Sequence, residues 1–328
     1  MIPNPSPHPV PPSRPTALAI SQQLWVQLEQ SPWASPADLA EALTWLIYTR
    51  WLDSESRMHQ RADCEKRWSF WRGLSLRARY MHLKDVVYPS LQTRSPMSGQ
   101  LIGLILPTIP FAIPDAKALS GLLDLIDATA ADTLLEAILP LLNIQEPPHS
   151  VLAHALALLN PFSLSGSRAV IWEPACRSGR FLALCAEQLQ QSHWREIWAN
   201  PQRLSQFRGQ FFGRVSSRPE ALLSAMRLLL AGQPAPSLDG YSLPWPRPDL
   251  IWTVHQPGLD RSSLLRLLAP AGRLAIWHPG QAHTGRQALS QGSLEILSAE
   301  RQRQLQEAAP AYQVRSTVKL PDKAPYIR

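Results

Sequence analysis

Apolar positions recur at helical spacing through the first half of the chain. In the second half they gather into short runs separated by helix-length segments. A helix is expected from Ala17, carrying Leu24, Trp25 and Leu28. Ser35-Pro36-Ala37-Asp38 reads as a helix start, with Ser35 as N-cap, Pro36 in the first turn and Asp38 near the positive helix end. The face that follows is Leu39, Leu43, Leu46 and Ile47, extended by Trp51 and Leu52, and a polar stretch runs from Asp53 to Arg67. Trp71, Leu74, Tyr80, Leu83 and Val87 mark another helical segment. Prolines 96, 107, 110 and 114 break residues 95–116 into a connector. Ser120 to Leu142 is expected as one helix with Leu122, Leu123, Leu125 and Ile126 on its apolar side, and Ser150 to Leu159 as another.

From there strands and helices alternate. Strands are expected at 169–172, 210–213, 249–254 and 273–277, with a late strand over Val314 to Leu320. Helices are expected at 180–190, 218–230 and 261–268. This alternation predicts a mostly parallel sheet. The expected organisation is a Pro-rich, disordered or extended tail at 1–16, a helical N-terminal domain at 17–144 and an α/β domain at 145–328. No fixed-period repeat is present.

Composition sharpens this picture in three places. Charged residues are 17% of the chain, against roughly 25% in ordinary globular proteins, and there are 32 prolines and 12 tryptophans. Such a surface reads either as one covered by partners or as lineage-wide codon bias. The net charge of +7, with arginine well ahead of lysine, permits nucleic-acid contact. Cys64, Cys176 and Cys185 have neither metal nor disulfide spacing, which fits a reduced, cytoplasmic protein. No apolar run approaches ~20 residues, so no membrane span is expected. The N-terminus lacks the basic-then-apolar order of a secretory signal.

The most informative stretch is Val170-Ile171-Trp172-Glu173-Pro174-Ala175-Cys176-Arg177-Ser178-Gly179-Arg180-Phe181-Leu182, a strand, tight turn and helix start. It resembles the Asp-Pro-Ala-Cys-Gly-Ser-Gly-Gly-Phe-Leu loop of adenine-N6 DNA methyltransferases, specifically the modification subunits of type I restriction-modification systems. The resemblance implies a class I methyltransferase-like (Rossmann-like) sheet with the cofactor S-adenosylmethionine at the end of its first strand. Two loop glycines are Arg177 and Arg180 here, and the acid is Glu173 rather than Asp. Glycines at such positions let a ligand approach the backbone. Long cationic side chains should fill that space instead.

Further landmarks of the resembled family fall in order. Leu24-Trp25 and the phrase from Tyr48 to Ser54 match its helical N-terminal domain. The stretch Gln145-Glu146-Pro147-Pro148 keeps only the proline of a Phe-Tyr-Thr-Pro phrase. After the second strand, Phe212-Gly213-Arg214-Val215 puts Val215 where the family's acid would hold the ribose, and Gly240-Tyr241-Ser242-Leu243 puts Tyr241 where a second acid would lie. Arg218-Pro219 and the run from Ala225 to Leu230 match the intervening helix. The Asp249-Leu250-Ile251 strand leads to His255-Gln256-Pro257-Gly258 in place of Asn-Pro-Pro-Phe or Tyr, the loop that binds and stacks an extruded adenine. Leu268 to Gly280 resembles the family's next turn and strand.

Scaffold positions are thus kept while chemical positions are changed. The resemblance implies a catalytically degenerate homologue, a structural or DNA-binding subunit of a nucleic-acid-processing or defence complex. The alternative is an active, divergent S-adenosylmethionine-dependent enzyme. No catalytic residue is expected in the His255–Gly258 loop, which reads as a divergent base pocket or an ordinary polar loop. Glu173, Cys176, Ser178 and Gly179 are the only candidates for residual cofactor contact, and no cofactor is expected. Arg177 and Arg180 are read as facing phosphate or protein carboxylates. Arg72, Arg77 and Arg79 are read as facing nucleic acid or a partner subunit. His278 and His283 lack a third ligand, so no metal is expected.

Overall fold

A computed structural model describes residues 16–56, 68–93, 109–160, 169–199, 211–232, 247–255, 260–279, 292–298 and 317–319. The tail before Thr16, Cys64, Tyr241, Gln256, Pro257, Gly258 and His283 lie outside the described residues.

Helix α1 (Ala17–Gln30) starts at Thr16, whose Oγ1 accepts from the Ala19 amide. Helix α2 (Pro36–Ser56) starts as its sequence predicts. Ser35 Oγ accepts from the Asp38 amide at 3.2 Å and donates to the Asp38 carboxylate at 2.6 Å. The single apolar face expected for α2 is too narrow, because every residue from Leu39 to Thr49 is buried. Thr44 and Thr49 tolerate this by donating to the carbonyls of Ala40 and Trp45 one turn back.

Trp68–Arg72 forms α3 and Leu76–His82 forms α4. A π-helical turn (Leu83–Val87) carries α4 directly into α5 (Tyr88–Thr93). The helix expected over Ser120–Leu142 is two. Helix α6 (Ala116–Ala128) ends where Thr129 turns extended, and α7 (Ala131–Ile138) follows. The break lets the two segments meet different neighbours: α6 packs on α4 and α2, α7 chiefly on α1. Helix α8 (His149–Leu159) closes on Asn160, which takes the left-handed conformation at φ 35°.

The second half forms one six-stranded sheet in the order β2-β1-β3-β4-β5-β6. The strands are β1 (Ile171–Glu173), β2 (Phe211–Gly213), β3 (Leu250–Val254), β4 (Arg273–Pro279), β5 (Gly292–Ser298) and β6 (Thr317–Lys319). Strands β1 to β4 run parallel, linked by α9 (Arg180–Ala199), α10 (Arg218–Leu230) and α11 (Arg261–Leu267). Strands β5 and β6 add an antiparallel edge. This is the mostly parallel, doubly wound α/β sheet that the alternation predicts, and β6 falls inside the expected late strand. Strand β5 was not expected.

Alternation along the strands serves two cores. Ile171, Leu250, Trp252, Ala275 and Trp277 face α8, α9, α10 and the N-terminal helices. Trp172, Ile251, Leu274 and Ile276 face α11. Helix α10 packs on α2, α7 and α9, and Leu222 through Leu229 are all buried. The larger core is continuous from Ile20 to Trp277, across the boundary expected at residue 144.

Candidate ligand site at the carboxyl ends of the strands

In a doubly wound sheet, ligands enter outside the carboxyl ends of the strands where chain order reverses. Here that point is β1, flanked by β2 and β3. The turn after β1 is zipped to the end of β2. The Arg214 amide donates to the Glu173 carbonyl at 3.0 Å, and the Cys176 amide donates to the Arg214 carbonyl at 2.9 Å. Gly179 takes φ +68°, and a Cβ there would stand 3.1 Å from Ser224 Cα. Its glycine identity therefore serves the close approach of this turn to α10.

Each sequence-derived site residue can now be located. Glu173 is buried at the end of β1, with one carboxylate oxygen lacking a hydrogen-bond partner. Burial, helped by the nearby Glu146 carboxylate, pushes its pKa up to about 8, against the hydrogen bonds of Cys176 and Leu182 and the charge of Arg227. Burial, then Glu173, raises the thiols of Cys176 and Cys185, which makes both poor nucleophiles. Ser178 is fully buried and accepts from the Arg227 guanidinium.

Arg227 was not singled out in the sequence, yet it is the electrostatic hub. It lies buried on α10 and pairs with Glu136 at 2.9 Å and Glu146 at 3.6 Å. Glu136, on α7, also holds Arg180 at 2.8 Å. Arg180 is thus engaged by a protein carboxylate. Arg180 and Arg177 further donate to the carbonyls of Pro147 (3.4 Å) and Gln145 (3.2 Å). Phe181 and Trp252 stack at 4.5 Å beneath them. Between β1 and β3 these groups leave a cavity of about 10 Å³, room for one water at most. The resemblance places the methionine end of S-adenosylmethionine here, in the space that the side chains of Arg177 and Arg180 narrow.

A larger cleft, about 680 Å³, opens on the other side of β1. Its walls are the turn from Pro174 to Arg177 and the segment from Arg214 to Arg218 with Ala221. Arg218 is neutralised by Glu41 on α2. Val215 contributes only apolar surface where the resemblance places an acid.

At the carboxyl ends of β3 and β4, His255 stacks on His278 at 4.7 Å. His278 Nε2 lies 3.0 Å from Glu295, and Arg261 pairs with the same buried carboxylate at 3.1 Å. Desolvation, then His278 and Arg261, holds the pKa of the exposed His255 below its ordinary value. Among the described residues no group of three or more His, Cys, Asp or Glu side chains could hold a metal ion. Nor, among them, is any helix long and apolar enough to cross a membrane.

The Arg72, Arg77, Arg79 stretch divides. Arg72 pairs with Asp127 and, at 3.6 Å, with Asp124. Arg79 donates to the carbonyls of Arg72 and Leu74. Arg77 is exposed.

No protein-family model matches this chain, and no curated protein matches it. Several solved structures are similar to it. The M protein of the type I restriction enzyme EcoKI is 12% identical with a TM-score of 0.34, covering 84% of this chain and 59% of that one. A protein of Listeria monocytogenes assigned to the class I S-adenosylmethionine-dependent methyltransferases is 14% identical with a TM-score of 0.35, covering 73% and 74%. The rRNA methyltransferase aviRa of Streptomyces viridochromogenes is 14% identical with a TM-score of 0.26, covering 48% and 87%. The chain thus spans 59% of the length of the EcoKI M protein.

Proposed function

We propose that this chain is a catalytically degenerate homologue of a DNA adenine-N6 methyltransferase modification subunit. In this reading it acts in the cytoplasm as a structural or DNA-binding subunit of a nucleic-acid-processing or defence complex. It uses no cofactor. Its partners are other protein subunits and DNA.

The observation that carries the reading is the narrow β3 side of the switch point. Arg177 and Arg180 span from the β1 turn to the carbonyls of Gln145 and Pro147 over a cavity of about 10 Å³. The net charge of +7 supports a nucleic-acid partner. Exposed apolar side chains on α1 (Leu18, Trp25, Val26) and on α3 and α4 (Phe70, Leu76, Met81) support a protein partner. The reading is tested by titrating purified protein with S-adenosylmethionine in a calorimeter. No heat of binding is expected, and a dissociation constant in the micromolar range overturns it.

The second reading is the active, divergent enzyme. It is favoured by buried oxygens of Glu146 and Glu173 that accept no hydrogen bond and that a bound ligand could satisfy, on residues that line the small cavity. Tritium transfer from labelled S-adenosylmethionine to duplex DNA, abolished by His255→Ala, would establish it.

A further inference from the structure

The cleft of about 680 Å³ between the two turns has an unusual charge balance. Three arginines line it. One, Arg218, is matched by the Glu41 carboxylate at 2.8 Å. The other two, Arg177 and Arg214, have no carboxylate partner among the described residues. Arg177 spends one N–H on the Gln145 carbonyl, and a guanidinium has five to give. The side chain of Arg214 is exposed, without a hydrogen bond to any described residue. The Cys176–Arg214 backbone bond at 2.9 Å joins the two turns, so that Arg177 and Arg214 border the cleft from either one.

The nearest carboxylate on α10, Glu220, is already spent. It accepts from the amide of Ser216 at 3.0 Å and from its hydroxyl. Ser217 Oγ caps the Glu220 amide, so the end of α10 is satisfied without a ligand. The positive character of the cleft therefore comes from the two guanidinium groups and not from the helix end. Val215, also lining the cleft, adds no charge to offset them.

We propose that this cleft is a binding site for a phosphate ester, gripped by Arg177 and Arg214. A planar guanidinium matches two phosphate oxygens at once, and two of them bordering one cleft suit a dianion or two successive phosphates. The cleft lies in the size range of small-molecule sites. The ester comes either from a free nucleotide or from a polynucleotide backbone. The site goes beyond the scaffold reading, since it holds whether or not methyl transfer has been lost.

The test uses the full-length protein and two variants, Arg214→Ala and Arg177→Ala/Arg214→Ala. ADP and a 20-base-pair duplex are titrated separately, with thermal melts recorded for each variant. We expect melting unchanged for Arg214→Ala, and binding weakened roughly tenfold per guanidinium removed. For the duplex, the salt slope should fall by roughly one per arginine. Loss confined to ADP assigns a nucleotide site, and loss confined to the duplex assigns a backbone contact. Should neither probe bind, or should Arg214→Ala bind both as the parent does, the site does not exist. These results are independent of the S-adenosylmethionine titration, so failure of one proposal leaves the other standing.

Discussion

Glu41 and Arg218 form a two-pronged ion pair that ties α2 to the start of α10. Arg218 Nε reaches one carboxylate oxygen at 2.8 Å and its terminal nitrogen reaches the other at 3.0 Å. The Glu41 side chain is only 1% exposed, while that of Arg218 is 43% exposed. The energetics are therefore lopsided. Removing the arginine strands a buried carboxylate, whereas replacing both residues does not. Arg218→Ala should cost about 3 kcal/mol by urea denaturation. Arg218→Lys should recover only part, because an ammonium cannot make both contacts. The double variant Glu41→Leu/Arg218→Ala should be more stable than Arg218→Ala alone. If the single and double variants denature together, Glu41 finds another partner.

Glu173 makes stability depend on pH with an unusual sign. Its carboxyl titrates near 8 in the folded chain, against an ordinary 4.5. Between those values the folded protein keeps a proton that the unfolded chain has released, so stability falls as pH rises through the window. The difference amounts to roughly 4–5 kcal/mol by pH 8. Glu173→Gln should match the parent near pH 5 and exceed it near pH 9, by chemical denaturation at each pH. A parent and variant that keep a constant offset across the range would refute the assignment.

The basic stretch on α3 and α4 should separate into structural and contact residues. Arg72→Ala loses its pairing to Asp124 and Asp127, largely exposed groups, and should cost under about 1 kcal/mol. Arg77→Ala should leave the melting temperature alone and weaken duplex DNA retention at low salt. Unchanged retention across a salt series would make Arg77 an ordinary solvated residue.

His255 should titrate below the ordinary imidazole value, because desolvation and then His278 and Arg261 disfavour its charged form. His278→Gln removes one of these causes while keeping a polar side chain. The ring resonances of His255, followed by NMR against pH, should then move their midpoint upward. A midpoint unmoved by the substitution would show that the stacked pair in solution is not the one seen here.

Much of the scaffold was legible because local chemistry states it. Ser35 and Ser217 cap their helices within reach of their own backbones, and Asp249-Leu250-Ile251 is a strand in any apolar setting. Strand β5 was not legible, since its central Glu295 looks like a solvent residue. It is buried only because Arg261 and His278 reach it from other elements. The break at Thr129 was hidden for a related reason: the sequence on both sides is helical, and tertiary neighbours decide where it bends. At the candidate site, Arg177 and Arg180 were legible as obstacles to a ligand. Arg227 was not, because Glu136 stands 91 residues away and only folding brings them together.

The continuity of the larger core decides how this chain can come apart. Leu223, Met226 and their neighbours on α10 are buried, and the helix packs on α2 and α7 from the first half of the chain and on α9 from the second. No face of α10 is prepared for water, so neither half can melt while the other stays intact. Unfolding should be one cooperative event rather than two, with amide protons in α2 and β3 exchanging at the same rate. A chain cut near residue 144 leaves two halves that each expose a hydrophobic wall.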